Sequence, residues 1–226
     1  MAGEIAIVKV NPFYDSWQFV LGRTADHGNA GPFVAWLLTL GFIALTAASI
    51  WIARTNWRED PSQRTPQHLA TWAMRFFIGT MWFQGSLWKL PLPISGGLDS
   101  WTRQLAEYAA FGIHQWIATN IFIPGLAIIN PLVYLTELSL SVAFILGFFV
   151  RPMAVVGMLF TLHLWFGLYR HPTEWPWLYI FLVFVQGFFF LDNAGKSLGL
   201  DALLARRPWG PFVGDGIIAK SYRRLA

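Results

Sequence analysis

The sequence predicts an all-α integral membrane protein, and three observations carry that reading. Only 12% of its 226 residues are charged and 55% are hydrophobic, with a mean hydropathy of +0.47. A soluble domain carries about 25% charged residues. Five apolar runs approach or reach the roughly 20 residues that a helix needs to cross a bilayer. Finally, Gly-Pro, Asn-Pro and Arg-Pro pairs punctuate those runs, and proline biases the residue before it away from helix.

Taken in order, residues 1–32 read as an external arm, because MAGEIAIVKV has no basic start and only a short apolar run. The first span is Phe33–Ala53, uncharged and preceded by Gly31-Pro32. Residues 54–68 form a polar link. The second span is about 69–90. Residues 91–129 are the longest link. Within it, 100–123 mixes Trp101, Leu105, Tyr108 and Trp116 with Arg103, Glu107 and His114, the pattern of amphipathic helices at an interface or capping a bundle. The third span, about 132–150, follows Asn130-Pro131. The fourth, about 153–169, follows a tight turn at Arg151-Pro152. The fifth is about 177–191, and 206–226 is a basic tail. With five spans, ten of the sixteen Lys and Arg fall on one side and five on the other, with Arg75 inside the second span. The positive-inside rule then puts the N-terminus outside and the C-terminus in the cytoplasm.

The second span holds the most informative stretch, RFFIGTMWFQGSLWK at 75–89. On a helix, Arg75, Gly79, Trp82, Ser86 and Lys89 share one face, and Gln84 falls opposite. The two cations stand roughly 21 Å apart at 1.5 Å per residue. Cations near span ends can snorkel to the interface, or they can face a bundle interior and seek partners. Glu137 lies in the outer part of the third span and His163 near mid-depth of the fourth. Depth matching therefore pairs Lys89 with Glu137 and sets His163 beside them, lining an outward-facing cavity. The same pair also reads simply as an interhelical staple. Gly79, Ser86, Gly147 and Gly157 allow close helix approach, and Gln186 reads as an interhelical hydrogen-bonder. Phe188, Phe189 and Phe190 face lipid or a neighbouring helix.

Several chemistries find no support. The chain has no cysteine, which excludes a catalytic thiol, Cys-ligated iron–sulfur clusters and Cys–zinc sites. His163 has no second spanning histidine to share a haem, and no metal-site spacing, phosphate loop or nucleophile elbow is present. We therefore expect no haem, iron–sulfur cluster or metal. The net charge of +4 fits basic loop ends, not nucleic-acid binding.

From the second span onward, three stretches in order resemble the DoxX/DoxD-like membrane family: RFFIGTMWFQGSLWKL, LTELSLSVAFILGFFVRPMAVVGMLF and FLDNAGKSLGLDALLARR. The resemblance implies a four-helix bundle over 69–205, with Phe33–Ala53 as one extra N-terminal helix. It places the family's recurring Arg, Gly, Lys and Glu on Arg75, Gly85, Lys89, Glu137 and Arg151, the last as a turn residue. One branch is similar to the small subunit of a thiosulfate:quinone oxidoreductase. The expectation that follows is a membrane subunit of a quinone-linked oxidoreductase, working on thiosulfate or a related sulfur anion beside other membrane subunits. Lys89, Glu137 and His163 are the catalytic candidates, and Arg75, Trp82, Gly85 and Arg103 the substrate or quinone contacts. Lys89 and Arg103 would attract an anion by charge. No side chain here stores electrons, so the quinone or a partner must. The alternative is a non-catalytic accessory subunit of a larger respiratory or photosynthetic complex.

Overall fold

The computed structural model describes residues 11, 14, 31–91 and 95–225. The expected arm at 1–32 therefore lies almost wholly outside the described residues. Those described form helices and turns, with no strand among them. The main helices are α1 (Gly31–Glu59), α2 (Pro66–Leu87), α3 (Gly96–Glu107), α4 (Gly112–Ile117), α5 (Leu126–Leu146), α6 (Val150–Leu168), α7 (Pro176–Leu191), α8 (Leu200–Arg206) and α9 (Ile217–Leu225).

Two helix pairs make the bundle. α2 lies along α5, and α6 lies along α7, with α5 and α6 joining the pairs. The shared core contains Trp82, Leu140, Phe144, Val150, Ala154 and Phe189. α1 packs on the outside of α2 and α5 through Phe42, Phe83, Leu87 and Ile145. One polar contact fixes its height: the Ser49 hydroxyl donates to Ile145 O at 2.6 Å and accepts from Trp72 Nε1 at 3.2 Å. Small residues set the spacing, as expected. A Cβ on Gly79 would come within 2.8 Å of the Ile145 backbone nitrogen. One on Gly157 would strike Gln186, whose amide donates to Thr161 Oγ1 at 3.0 Å.

Three helices, Phe33–Glu59, Leu126–Leu146 and Val150–Leu168, are long and apolar enough to cross a membrane, and α7 is apolar but shorter. α2 is not among them. It has the length but carries His68, Arg75, Gln67 and Gln84. The chain is thus an all-helical membrane protein.

The boundaries correct the sequence reading where capping overrides hydropathy. α1 runs on to Glu59, past the apolar run, and stops where Asp60 and Pro61 start a short 3-10 turn. α2 begins three residues early because the Thr65 hydroxyl accepts from the His68 amide and Pro66 occupies the first turn. Pro131 does not start α5 but sits inside it. The other end of α5 comes early, at Leu146, because Gly147 adopts φ 71°. α6 then begins at Val150, and Pro152 falls in its first turn, where a missing N–H costs nothing. Gly147–Phe149, not Arg151-Pro152, therefore makes the tight turn. Arg151 is the second residue of α6, with its guanidinium 4.9 Å from the Phe190 ring.

Candidate functional site

At one end of the bundle the chain leaves α2 through Trp88 and Lys89. Asn130, fully buried on α5, braces this exit: it donates to Lys89 O at 2.6 Å and accepts from the Ser95 amide at 2.8 Å. Ser95 in turn caps α3, accepting from Leu98 N at 3.3 Å while donating to Trp88 O at 2.7 Å. α3 buries Leu98, Thr102 and Leu105, spaced for one helical face. It packs on α4, on the turn at Ala118–Phe122 and on the end of α6 near Gly167.

Beneath α3 is a cavity of about 390 Å³. Its walls are mostly apolar: Trp101, Leu105, Phe122, Ile129, Leu132, Phe160 and Leu164 among others. Its polar side chains include Lys89, Glu137, His163, Thr102, Thr136, and Glu174 with Tyr179. Lys89 Nζ and Glu137 Oε1 form a salt bridge at 2.5 Å, with side chains 12% and 2% exposed. The ammonium also lies 4.4 Å from the Trp88 ring centroid. Glu137 Oε2 is buried with no hydrogen-bond partner among the described residues. Gly85 lies beside the pair. A methyl there would sit 3.6 Å from Glu137 Oε2 and 3.8 Å from Lys89 Nζ, in ordinary contact, while a larger side chain would displace both.

His163 lines the same cavity, with its ring 4.8 Å from His114, 5.2 Å from Phe122 and 6.3 Å from Phe160. His114 is buried, not a surface loop residue, and burial pushes its imidazole pKa down. The π-turn at Ala118–Phe122 carries the chain from α4 towards α5 and presents Phe122 to the cavity. On the far wall the Tyr179 hydroxyl donates to Glu174 at 2.7 Å. Sequence reading did not find this pair. The only signal was a glutamate five residues before a tyrosine across the start of α7. Among the described residues no three His, Asp or Glu side chains converge as a metal site would require.

The other proposed contacts lie elsewhere. Trp82 is in the core, edge-on to Phe160 at 5.7 Å. Arg103 is exposed and pairs with Asp99 at 3.1 Å, one helical turn away on α3. Arg75 is near the middle of α2, at the level where α5 ends, and is fully buried. It does not snorkel. It donates to Phe144 O at 2.7 Å and to Ser197 O at 3.1 Å.

Around Arg75 the C-terminal segment is knitted onto the bundle. Asp201 accepts from the amides of Phe149 at 2.8 Å and Val150 at 3.3 Å, capping α6 from a distance, and from the Tyr222 hydroxyl at 2.5 Å. Gln63 accepts from Leu198 N at 2.7 Å, and Asn56 donates to Gly199 O at 2.9 Å. Arg206 joins Asn56 and Asp60 at 2.6 and 3.1 Å. Burial holds the Asp201 carboxyl above the usual range, and burial beside that carboxylate pushes the Tyr222 phenol up.

Fold and site together define a helical membrane protein with an apolar, aromatic cavity that holds a buried ion pair at one end. No family model, no curated protein and no solved structure matches the chain.

Proposed function

We propose that this chain is a membrane subunit of a quinone-linked oxidoreductase, and that the cavity at the Lys89 end receives the quinone headgroup. The observation that carries the reading is the cavity itself. Its volume falls in the range of roughly 300–1,000 Å³ of small-molecule sites, which combine apolar walls with a few polar groups. Aromatic walls suit a flat ring. Lys89 and His163 offer donors to the two carbonyl oxygens of a quinone. Leu132 belongs to the cavity wall and is also 54% exposed on the outside of α5, which leaves a way for an isoprenoid tail to reach lipid.

The charge balance favours a neutral headgroup over a sulfur anion. Glu137 neutralises Lys89, Glu174 adds a second carboxylate, and Arg103 points its charge at Asp99. Thiosulfate, which the resemblance to the DoxX/DoxD-like family implies, would then be oxidised on a partner subunit. Reduction of a quinone to a quinol takes two electrons and two protons. The electrons come from that partner and the protons from the adjoining aqueous phase, and this chain binds and orients the headgroup. In this reading α2, α5, α6 and α7 form the bundle and α1 is the fifth span. The N-terminus lies outside, and the cavity faces the outer leaflet of a bacterial cytoplasmic membrane.

The test is quinone binding by the purified full-length chain. A short-chain quinone should quench Trp88 and Trp101 fluorescence saturably, and Val133→Phe, which fills the cavity, should weaken that binding at least tenfold. Equal affinity in the filled variant, or quenching that never saturates, rejects the reading. Fixed-stoichiometry co-purification with a large electron-transfer assembly, without bound quinone, supports the accessory-subunit alternative.

A further inference from the structure

The C-terminal segment contains exposed apolar and basic side chains that the cavity does not use. Trp209, Val213, Ile217 and Ile218 are 57%, 56%, 86% and 59% exposed. They belong to no membrane-long helix, so lipid tails around the spans do not account for them. Between and after them stand Arg207, Lys220, Arg223 and Arg224, against one acid, Asp215. Arg206 and Arg207 are engaged with Glu59 and Asp60, while among the described residues Lys220 and Arg224 enter no ion pair.

The position of this segment is fixed. Ala219 and Tyr222 form the buried face of α9. The Tyr222 ring lies 4.7 Å from Phe212 and 5.9 Å from Phe148, and its hydroxyl reaches Asp201. Asp201 holds the turn where α5 ends and α6 begins, and Arg206 and Arg207 hold the end of α1. All three membrane-long helices therefore terminate against the segment, which sets it at the level where hydrocarbon gives way to headgroups. A cleft of about 160 Å³ opens there between α8 and α9, walled by Leu204, Pro208 and Phe212, with Lys196 on its lining.

We propose that residues 207–224 form a binding surface for anionic phospholipid. The apolar side chains enter the interface beside the ends of the spans, and Lys220, Arg224 and Lys196 meet the phosphate headgroups. Basic residues with exposed aromatic and aliphatic neighbours are the composition of an interfacial helix, and each cation near an anionic leaflet strengthens its attachment. The proposal is independent of what occupies the cavity.

The experiment is native mass spectrometry of the full-length chain, loaded with an equimolar mixture of phosphatidylglycerol and phosphatidylcholine in neutral detergent. The wild type should retain the anionic lipid preferentially. The double variant Lys220→Gln/Arg224→Gln should lose that preference by on the order of tenfold, with its melting temperature in detergent unchanged because both side chains are exposed. Raised salt should weaken the preference in the wild type alone. No preference in the wild type, or an undiminished one in the double variant, overturns the proposal. So does a salt-sensitive association with an acidic protein subunit that replaces lipid binding.

Discussion

The two ends of the bundle both bury charge, but they satisfy it differently. At the Arg75 end most of the buried polar groups are met by the fold, with Arg75 Nε left over among the described residues. Guanidinium meets backbone carbonyls, Asp201 meets two amides and a phenol, and Gln63 and Asn56 clasp the 198–199 backbone. At the Lys89 end one salt bridge stands at the wall of a cavity, with Glu137 Oε2 unpartnered beside it. A closed network specifies a unique arrangement, while a partly satisfied one leaves groups for a ligand or water. The tighter network and the open cavity thus lie at two levels along the same helix, α2.

That contrast can be broken by mutation, and the Arg75 end should prove the more sensitive. The largest effect belongs to Gly147→Ala. The residue has φ 71°, and a Cβ would strike the Arg75 guanidinium and the Gly199 backbone. Left-handed strain and overpacking together should cost roughly 3–5 kcal/mol, read as loss of folded protein in detergent extracts. Arg75→Met comes next. It leaves Phe144 O and Ser197 O without their donor in a dry interior and should cost about 3 kcal/mol in thermal unfolding.

Glu137→Gln should cost less, about 1–2 kcal/mol, because the cavity lets water reach Lys89 once its partner is gone. Adding Lys89→Met should recover most of that loss. If the single variant were as damaging as Arg75→Met, the distinction between a closed and an open end would fail. Tyr222→Phe removes one hydrogen bond to Asp201 and should cost about 1 kcal/mol.

The pH dependence should report the same carboxyl. Its raised pKa means that the native state binds the proton more tightly than the unfolded chain does. The resulting stability is present below about pH 4 and is lost as pH rises through the native value. The melting-temperature advantage of the wild type over Asp201→Asn should therefore shrink as pH rises from about 4 through the raised native value. A widening gap would show the carboxylate, not the acid, to be the favoured partner. Val133→Phe should have the smallest effect on stability, under about 1 kcal/mol, because it fills existing space.

Much of the Lys89 end was legible in the sequence. Heptad-like spacing put Arg75, Gly79, Trp82 and Ser86 on one face of α2, and all four are buried there. Depth matching brought Lys89 to Glu137 because a charge in an apolar helix has few possible partners. Arg75 was different. Nothing local says whether an arginine in an apolar helix reaches out to water or inward to the carbonyls of Phe144 and Ser197, since both acceptors are backbone atoms and any residue supplies those. Asp201 and Asn130 were missed for a related reason. They cap and brace elements far away in the chain, so their role leaves no trace in their own neighbourhood. Pro131 misled because proline at the start of a helix and proline within one differ only in where the helix begins.

By itself the sequence determined that this chain is helical and enters a membrane, where its apolar runs lie, and which face of α2 is buried. Composition and periodicity suffice for that, because the bilayer and the 3.6-residue turn act on every residue alike. Only the tertiary structure decided that one end is sealed by the C-terminal segment and the other holds a cavity. That outcome depends on contacts between residues up to 150 positions apart, whose partners are largely backbone amides and carbonyls common to every sequence.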